Sequence, residues 1–306
     1  MKRYLVGTLL TAIFPLCVAA ARPYVLVLGI GQDAGVPQMG CDSPFCRYLW
    51  KQPLRREMVS SIALVDPDSG GRWIFDATPD LPEQFELLRR TTRDRSIRID
   101  GIFLTHAHIG HYTGLMYLGR ESMNTTRVPV HVMPRMERML RTNAPWSQLV
   151  ELNNIDLKKL SPRASIQLTD ELSVTPFTVP HRDEFSETVG YTISTKIRSV
   201  MYIPDIDKWE KWETKLPEAL KRVDYALIDG TFFKDGEISR PMNEVPHPFI
   251  SETIVLLNKL PLRERRKVYF IHFNHSNPIV QQHKRSVSDV RKAGFGIAKT
   301  GLRLDL

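Results

Sequence analysis

The sequence predicts an α/β fold of two layered sheets flanked by helices, and three observations carry that expectation. Strand-like apolar runs recur through both halves of the 306-residue chain, segments of helical spacing lie between them, and the two types do not alternate strictly. A single doubly wound parallel sheet needs regular β-α-β alternation; two packed sheets do not. With 42% hydrophobic residues the chain can fill a sizeable core, as one large domain or two small ones.

At the N-terminus, Lys2 and Arg3 precede an apolar run from Tyr4 to Val18, followed by Ala19, Ala20 and Ala21 before Arg22. This order of basic, apolar and small residues reads as a secretory signal peptide over residues 1–21, cleaved near Ala21. The run is shorter than the ~20 residues of a spanning helix and Pro15 interrupts it, so no stable membrane anchor is expected. Leu16 stands before Cys17 where lipid attachment wants a small residue. The expected location is therefore the periplasm or the exterior.

Residues 24–30 (YVLVLGI) read as a first buried strand, and residues 60–65 and 73–75 as a pair joined by the turn signal DPDSGG. Residues 81–90 have helical spacing, 101–104 form a strand, 129–133 a short strand and 135–143 a helix. Strands at 172–179, 189–194 and 199–203 lead to a helical stretch with Trp209 and Trp212. Buried strands at 225–228 and 268–271 enclose a helix at 249–260. The loop GIGQDA (29–34) matches a dinucleotide fingerprint, but Pro37, Gly40 and Pro44 break the helix that would have to meet a pyrophosphate, so no nucleotide cofactor is expected.

The formal charge is 42 − 34 = +8, and +6 without Lys2 and Arg3. The basic residues are dispersed in runs such as Arg89, Arg90, Arg93, Arg95 and Arg98, or Arg263, Arg265, Arg266 and Lys267. Such runs read as solvated faces, and export argues further against a nucleic-acid partner; a small-molecule substrate is expected instead. Cys41 and Cys46 either close a small disulfide loop or help hold a structural metal. Trp50, Trp146, Trp209 and Trp212 either pack in the core or mark an interface, which leaves the oligomeric state open.

The chemistry concentrates in IFLTHAHIGHYTGLMYL, where His106, His108 and His111 fall within six residues between a strand and a helix-like segment. Three imidazoles so placed point to a metal site, His106 and His108 facing one ion and His111 a second. Ligand-type residues also follow three later apolar runs: His181 after LSVTPFTVP, Asp205 after SVMYIP and His272 after KVYFI.

THAHIGHYTGL resembles the HxHxDH signature of the metallo-β-lactamase superfamily. VLGIGQDAGVPQMGCDSPFC, SSIALV, FDATPDLPEQ, VGYTIS, ALIDGTFF and IHFNHSNPI resemble its pyrroloquinoline quinone biosynthesis protein B (PqqB-like) branch, across the chain from about Tyr24 to the C-terminus. The resemblance implies a single four-layer αβ/βα sandwich over residues 22–306 with its metals at one sheet edge. It implies a first site of His106, His108 and His181 and a second of His111, Asp205 and His272, with Asp205 bridging. One or two zinc ions so held polarise a substrate oxygen and lower the pKa of a bound water to about 7, giving a hydroxide nucleophile. Iron or manganese also suits three histidines and a carboxylate.

Gly110 stands where the signature has an aspartate, so the second site is expected to be weak or empty, with His275 in HFNH as a substitute ligand. By likeness to the tRNA 3′-processing enzymes of the superfamily, Asp229 and His247 form an acid and histidine pair able to protonate a leaving group. Asp76 and Asp80 are expected to shape the floor of the site. The favoured reading is a metal-dependent hydrolase of an ester, amide or phosphodiester. The alternatives are an iron-dependent PqqB-like oxygenase in pyrroloquinoline quinone formation and a metal-binding protein that has lost turnover. Loops 36–50, 118–127 and 230–248 are expected to shape substrate choice.

Overall fold

The computed structural model describes residues 22–306; the expected signal segment at residues 1–21 lies outside them. In chain order the first sheet takes β1 (Tyr24–Gly29), β2 (Ser61–Asp66), β3 (Gly71–Phe75), β4 (Gly101–Phe103), β5 (Val128–Val132) and β6 (Ile155–Lys159). The second takes β7 (Ile166–Gln167), β8 (Ser173–Thr178), β9 (Val189–Ser194), β10 (Ser199–Ile203), β11 (Tyr225–Asp229), β12 (Val268–Ile271) and β13 (Gly296–Ile297). The chain then returns to the first sheet with β14 (Arg303–Asp305). Strand order is β14-β1-β2-β3-β4-β5-β6 in one sheet and β13-β12-β11-β10-β9-β8-β7 in the other.

Both sheets are mixed in the same way. β14, β1, β2 and β3 pair antiparallel and β3 through β6 parallel. β7 through β10 pair antiparallel and β10 through β13 parallel. The short turn after β2 explains its antiparallel pairing with β3, in the register Ile62 to Phe75. Parallel neighbours end on the same side, so β3, β4, β10, β11 and β12 deliver Asp76, the histidine loop, Asp205, Asp229 and His272 at carboxyl ends, where such sheets carry their sites.

Period-two alternation divides the core. Val25 and Val27 of β1, Ile62 and Leu64 of β2, and Trp73 and Phe75 of β3 face the second sheet, while Leu26, Leu28, Ala63, Val65 and Ile74 face helices. Strands buried on both faces read as unbroken apolar runs, which is why β1 appears as YVLVLG. Between the sheets Phe75 stacks on Phe103 at 4.9 Å, with Tyr191 edge-on to both. Leu81, Phe85 and Leu88 of the helix Leu81–Thr92 cover the outer face of the first sheet. This is the expected helix-sheet-sheet-helix sandwich.

Several elements differ from the sequence reading. Pro44 does not break a helix but begins one, Pro44–Trp50, because a first-turn proline lacks only an N–H that has no partner there. Ser43 caps it, its hydroxyl accepting from the Cys46 N–H at 3.2 Å. Trp212 lies just outside the short 3₁₀ turn Trp209–Lys211. The helix Lys284–Lys292 and strands β6, β7, β13 and β14 were not anticipated; they are short and largely polar, with little apolar periodicity to announce them. Trp209 and Trp212 are buried, Trp146 packs partly buried against Tyr112, and Trp50 is 44% exposed. Among the described residues no helix is long and apolar enough to cross a membrane.

Candidate metal centre

The histidine loop leaves β4 at the edge where the two sheets meet. Its entry is fixed from the second sheet by the Tyr191 hydroxyl, which donates to the Leu104 carbonyl, and by the Val189 N–H, which donates to the Thr105 carbonyl. This brings His106 Nε2 to 2.9 Å from His108 Nδ1, with His181 Nε2 3.3 Å from the same nitrogen. Asp205 Oδ2 lies 3.1 Å from His181 Nε2 and 3.4 Å from His106 Nε2. The three histidines expected as the first donor set thus converge, with Asp205 against them.

The second expected set converges as well. Ligand atoms of His111, His272 and Asp205 lie within 4.8 Å of one another, joined by a residue that the sequence reading did not select, Asp33. Asp33 Oδ1 is 3.1 Å from His111 Nε2 and 3.6 Å from His272 Nε2. Asp33 thus places a carboxylate beside the rings of this set although position 110 is glycine. The available signal was an aspartate in the glycine-bounded loop GIGQDA directly after a buried strand. His275 is not the substitute: its ligand atom sits with those of Cys41 and Cys46, which form a disulfide.

Every donor ring but one is held from behind. Thr105 Oγ1 is 2.9 Å from His106 Nδ1, Asp76 Oδ2 is 2.7 Å from His111 Nδ1, and Thr231 Oγ1 is 2.8 Å from His272 Nδ1. Glu184 Oε2 lies 3.2 Å from His108 Nε2. Such outer contacts fix tautomer and ring orientation. For His181 no outer partner is present, and its Nδ1 is buried without a hydrogen bond. Asp76 also accepts from the Thr105 N–H and hydroxyl, so it does form the floor; Asp80 instead accepts from the Val59 N–H at 2.8 Å. Asp76 and His272 adopt φ of 70° and 67°, a rare conformation for residues other than glycine that is found at functional sites.

The proposed acid and histidine pair is assembled. Asp229 Oδ2 accepts from His247 Nδ1 at 2.9 Å, while Asp229 Oδ1 accepts from the Thr231 N–H and hydroxyl. His247 Nδ1 is also 3.2 Å from Asp205 Oδ1, and its ring centroid lies 5.6 Å from that of His181 and 6.2 Å from that of His272. It thus lies beside both donor sets.

The donor chemistry fits cations. Asp33 Oδ1, Asp205 Oδ1, His111 Nε2 and His272 Nε2 are buried atoms without a well-directed hydrogen bond, an arrangement costly unless something else satisfies them. Burial pushes the Asp33 and Asp205 carboxyls up, but surrounding imidazoles outweigh it and hold both well below the usual carboxylate range. Burial and neighbouring His111 push His106 well below the ordinary imidazole value. Burial also lowers His111 and His247, but the charge of Asp76 raises His111 well above, and the charges of Asp205 and Asp229 carry His247 to about 9.

Comparison with known proteins agrees with this geometry. Residues 72–273 match the family described as "Beta-lactamase superfamily domain". The chain belongs to the metallo-β-lactamase superfamily. Within it the chain is similar to coenzyme PQQ synthesis protein B of Xanthomonas campestris pv. campestris, 25% identical over 92% of this chain and 99% of that relative. The crystal structure of zinc-bound PqqB from Methylobacterium extorquens matches over 92% of this chain and all of that one, with TM-score 0.76 at 22% identity, which shows the shared fold. A diphosphatase of the PhnP family matches over 94% of this chain and 98% of its own, with TM-score 0.67 at 25% identity.

Proposed function

We propose that this metallo-β-lactamase superfamily chain is an exported metal-dependent hydrolase acting on a small ester, amide or phosphodiester. The observation that carries the reading is two complete donor sets sharing Asp205, with the His247–Asp229 pair directly beside them. His106, His108 and His181 would hold one cation and His111, His272 and Asp205 a second, zinc being the metal that the zinc-bound PqqB names and iron or manganese also suiting these donors. Bound there, cations supply Lewis acidity toward a substrate oxygen and make a water easier to ionise.

The chain's own residues account for the rest. Hydrolysis adds hydroxide to the reacting carbon or phosphorus and breaks its bond to the leaving group, which departs with a proton. His247 is the group placed to deliver that proton, and Asp229 fixes its ring by accepting from Nδ1. Thr231 and the Ile206 N–H hold Asp229 in turn. The likeness to a diphosphatase favours phosphorus–oxygen bonds among the three substrate types. The test is a panel of bis(p-nitrophenyl) phosphate, p-nitrophenyl acetate and a chromogenic β-lactam, run with zinc and with manganese. Turnover lost in His106→Ala and His181→Ala supports the reading, and turnover indifferent to both refutes it.

The coverage of coenzyme PQQ synthesis protein B favours a second reading, an iron-dependent oxygenase on a tyrosine-derived precursor. Iron retained after anaerobic purification, with oxygen consumed on adding substrate, would put this reading first. A binding protein without turnover has lost its main support, because Asp33 stands in the place that Gly110 was expected to leave bare.

A further inference from the structure

We infer that Asp33 is the second carboxylate ligand of the His111–His272 donor set, and that Gly110 is glycine because the Asp33 loop occupies the space its side chain would need. Two independent observations meet here. Asp33 Oδ1 faces His111 Nε2 at 3.1 Å and His272 Nε2 at 3.6 Å, and all three atoms are buried without a well-directed hydrogen bond. A Cβ built on Gly110 would fall 2.4 Å from Asp33 Cα and 2.6 Å from Asp33 Oδ1, distances that real Cβ atoms essentially never show.

The loop that carries Asp33 is tied to the elements that carry the other ligands. The Gln32 N–H donates to the Phe273 carbonyl and the Phe273 N–H to the Ile30 carbonyl, both at the residue that follows His272. Asn274 Nδ2 donates to Gln32 Oε1 at 2.6 Å. The Gly31 N–H donates to the Met58 carbonyl, and the Gly35 N–H closes a turn onto the Gln32 carbonyl. Asp33 thus sits at the tip of a turn pinned on both sides, a placement suited to a ligand and unneeded for a solvated loop aspartate. A side chain at position 110 and the present course of the Asp33 loop exclude each other sterically, so here the carboxylate reaches these nitrogens from the loop after β1.

The inference rests on the two-cation part of the proposed function but not on hydrolysis. The test uses the full chain without affinity histidines, titrated with zinc alone, with elemental analysis for stoichiometry and calorimetry for affinity. Wild type is expected to bind two ions per chain. Asp33→Asn keeps the shape of the side chain and is expected to hold the first ion while binding the second roughly 100-fold or more weakly, beyond the loss usual for a mere supporting contact. Gly110→Asp alone is expected to weaken the second ion as well, because it displaces the Asp33 loop. Asp33→Gly combined with Gly110→Asp leaves the Cα at position 33 in the way of the new Cβ and is expected not to regain the second ion. Retention of the first ion reports that each variant is folded. An Asp33→Asn protein with an unchanged second affinity, or a Gly110→Asp protein that binds the second ion more tightly than wild type, would overturn the inference. A wild type that binds no ion would overturn the metal-dependent reading with it.

Discussion

Asp76 Oδ2 lies 2.7 Å from His111 Nδ1, and this contact turns the opposite nitrogen of the ring toward Asp33. The same carboxylate accepts from the backbone N–H and hydroxyl of Thr105, so one fully buried side chain sets the course of the histidine loop and the orientation of its third ring. Asp76→Asn is expected to weaken cation binding at the His111 set by about 10–100-fold and to affect the His106–His108–His181 set less. Zinc competition against a chromophoric chelator measures both affinities. Equal weakening at the two sets would mean that Asp76 supports the loop as a whole and not His111 in particular.

His247 and Asp229 are predicted to matter for turnover and not for cation loading. In His247→Ala the rate on a substrate with a poor leaving group is expected to fall about 10²–10⁴-fold, the range typical of a lost general acid, with bound metal unchanged. A substrate with an activated leaving group, which departs without a proton, should lose much less. Steady-state rates on an alkyl and a p-nitrophenyl ester of the same acid distinguish the two. Comparable losses on both would remove His247 from proton delivery.

Cation binding is also expected to stabilise the fold, because the donor atoms come from five separate segments: the loop after β1, the histidine loop, and the ends of β8, β10 and β12. An unfolded chain does not bring these together, so binding belongs to the native state. Free zinc at 100 times its dissociation constant should add about 2.7 kcal/mol per site. Calorimetric melting at stepped free-zinc concentrations should therefore show a rising midpoint, reversed by chelator. A midpoint independent of zinc would mean that the donor sets do not load.

The parts of this site that could be read from the sequence are those in which chemistry and strand endings coincide. His181, Asp205 and His272 each follow an apolar strand; β10, β11 and β12 are parallel and β8, antiparallel to β9 as β10 is, runs the same way, which brings those endings to one edge. Asp229 and His247 were readable through likeness alone, since a strand-end aspartate and a proline-flanked histidine have common structural uses. Asp33 was hidden because its role depends on a contact between the loop after β1 and the residue at 110, distant in sequence, and the sequence showed only the glycine. The short strands β6 and β7 were hidden for a different reason: β6 alternates only over Ile155 and Leu157 and β7 spans two residues, runs too short to mark a half-buried strand.

His131 gives a pH dependence that is separable from the metal centre. Its ring stacks on Phe103 at 4.2 Å and 6°, and burial, reinforced by the charge of Lys158, lowers its pKa to about 4. In the unfolded chain the value returns to about 6.5. Below that value the unfolded state takes up a proton that the folded state refuses, so the unfolded state binds more protons and stability falls as pH drops from about 6.5 toward 4. Above pH 6.5 neither state is protonated there and the contribution is constant. His131→Phe preserves an aromatic ring against Phe103 and removes the titration. Urea unfolding at pH 7 and pH 5 should show a smaller loss in His131→Phe than in wild type, by at most about 2 kcal/mol. Because the donor sets are the same in both proteins, their own response to pH cancels in this comparison. Equal losses in the two would show that the His131 ring is protonated in the native state with no penalty, against the burial and the stacking that surround it.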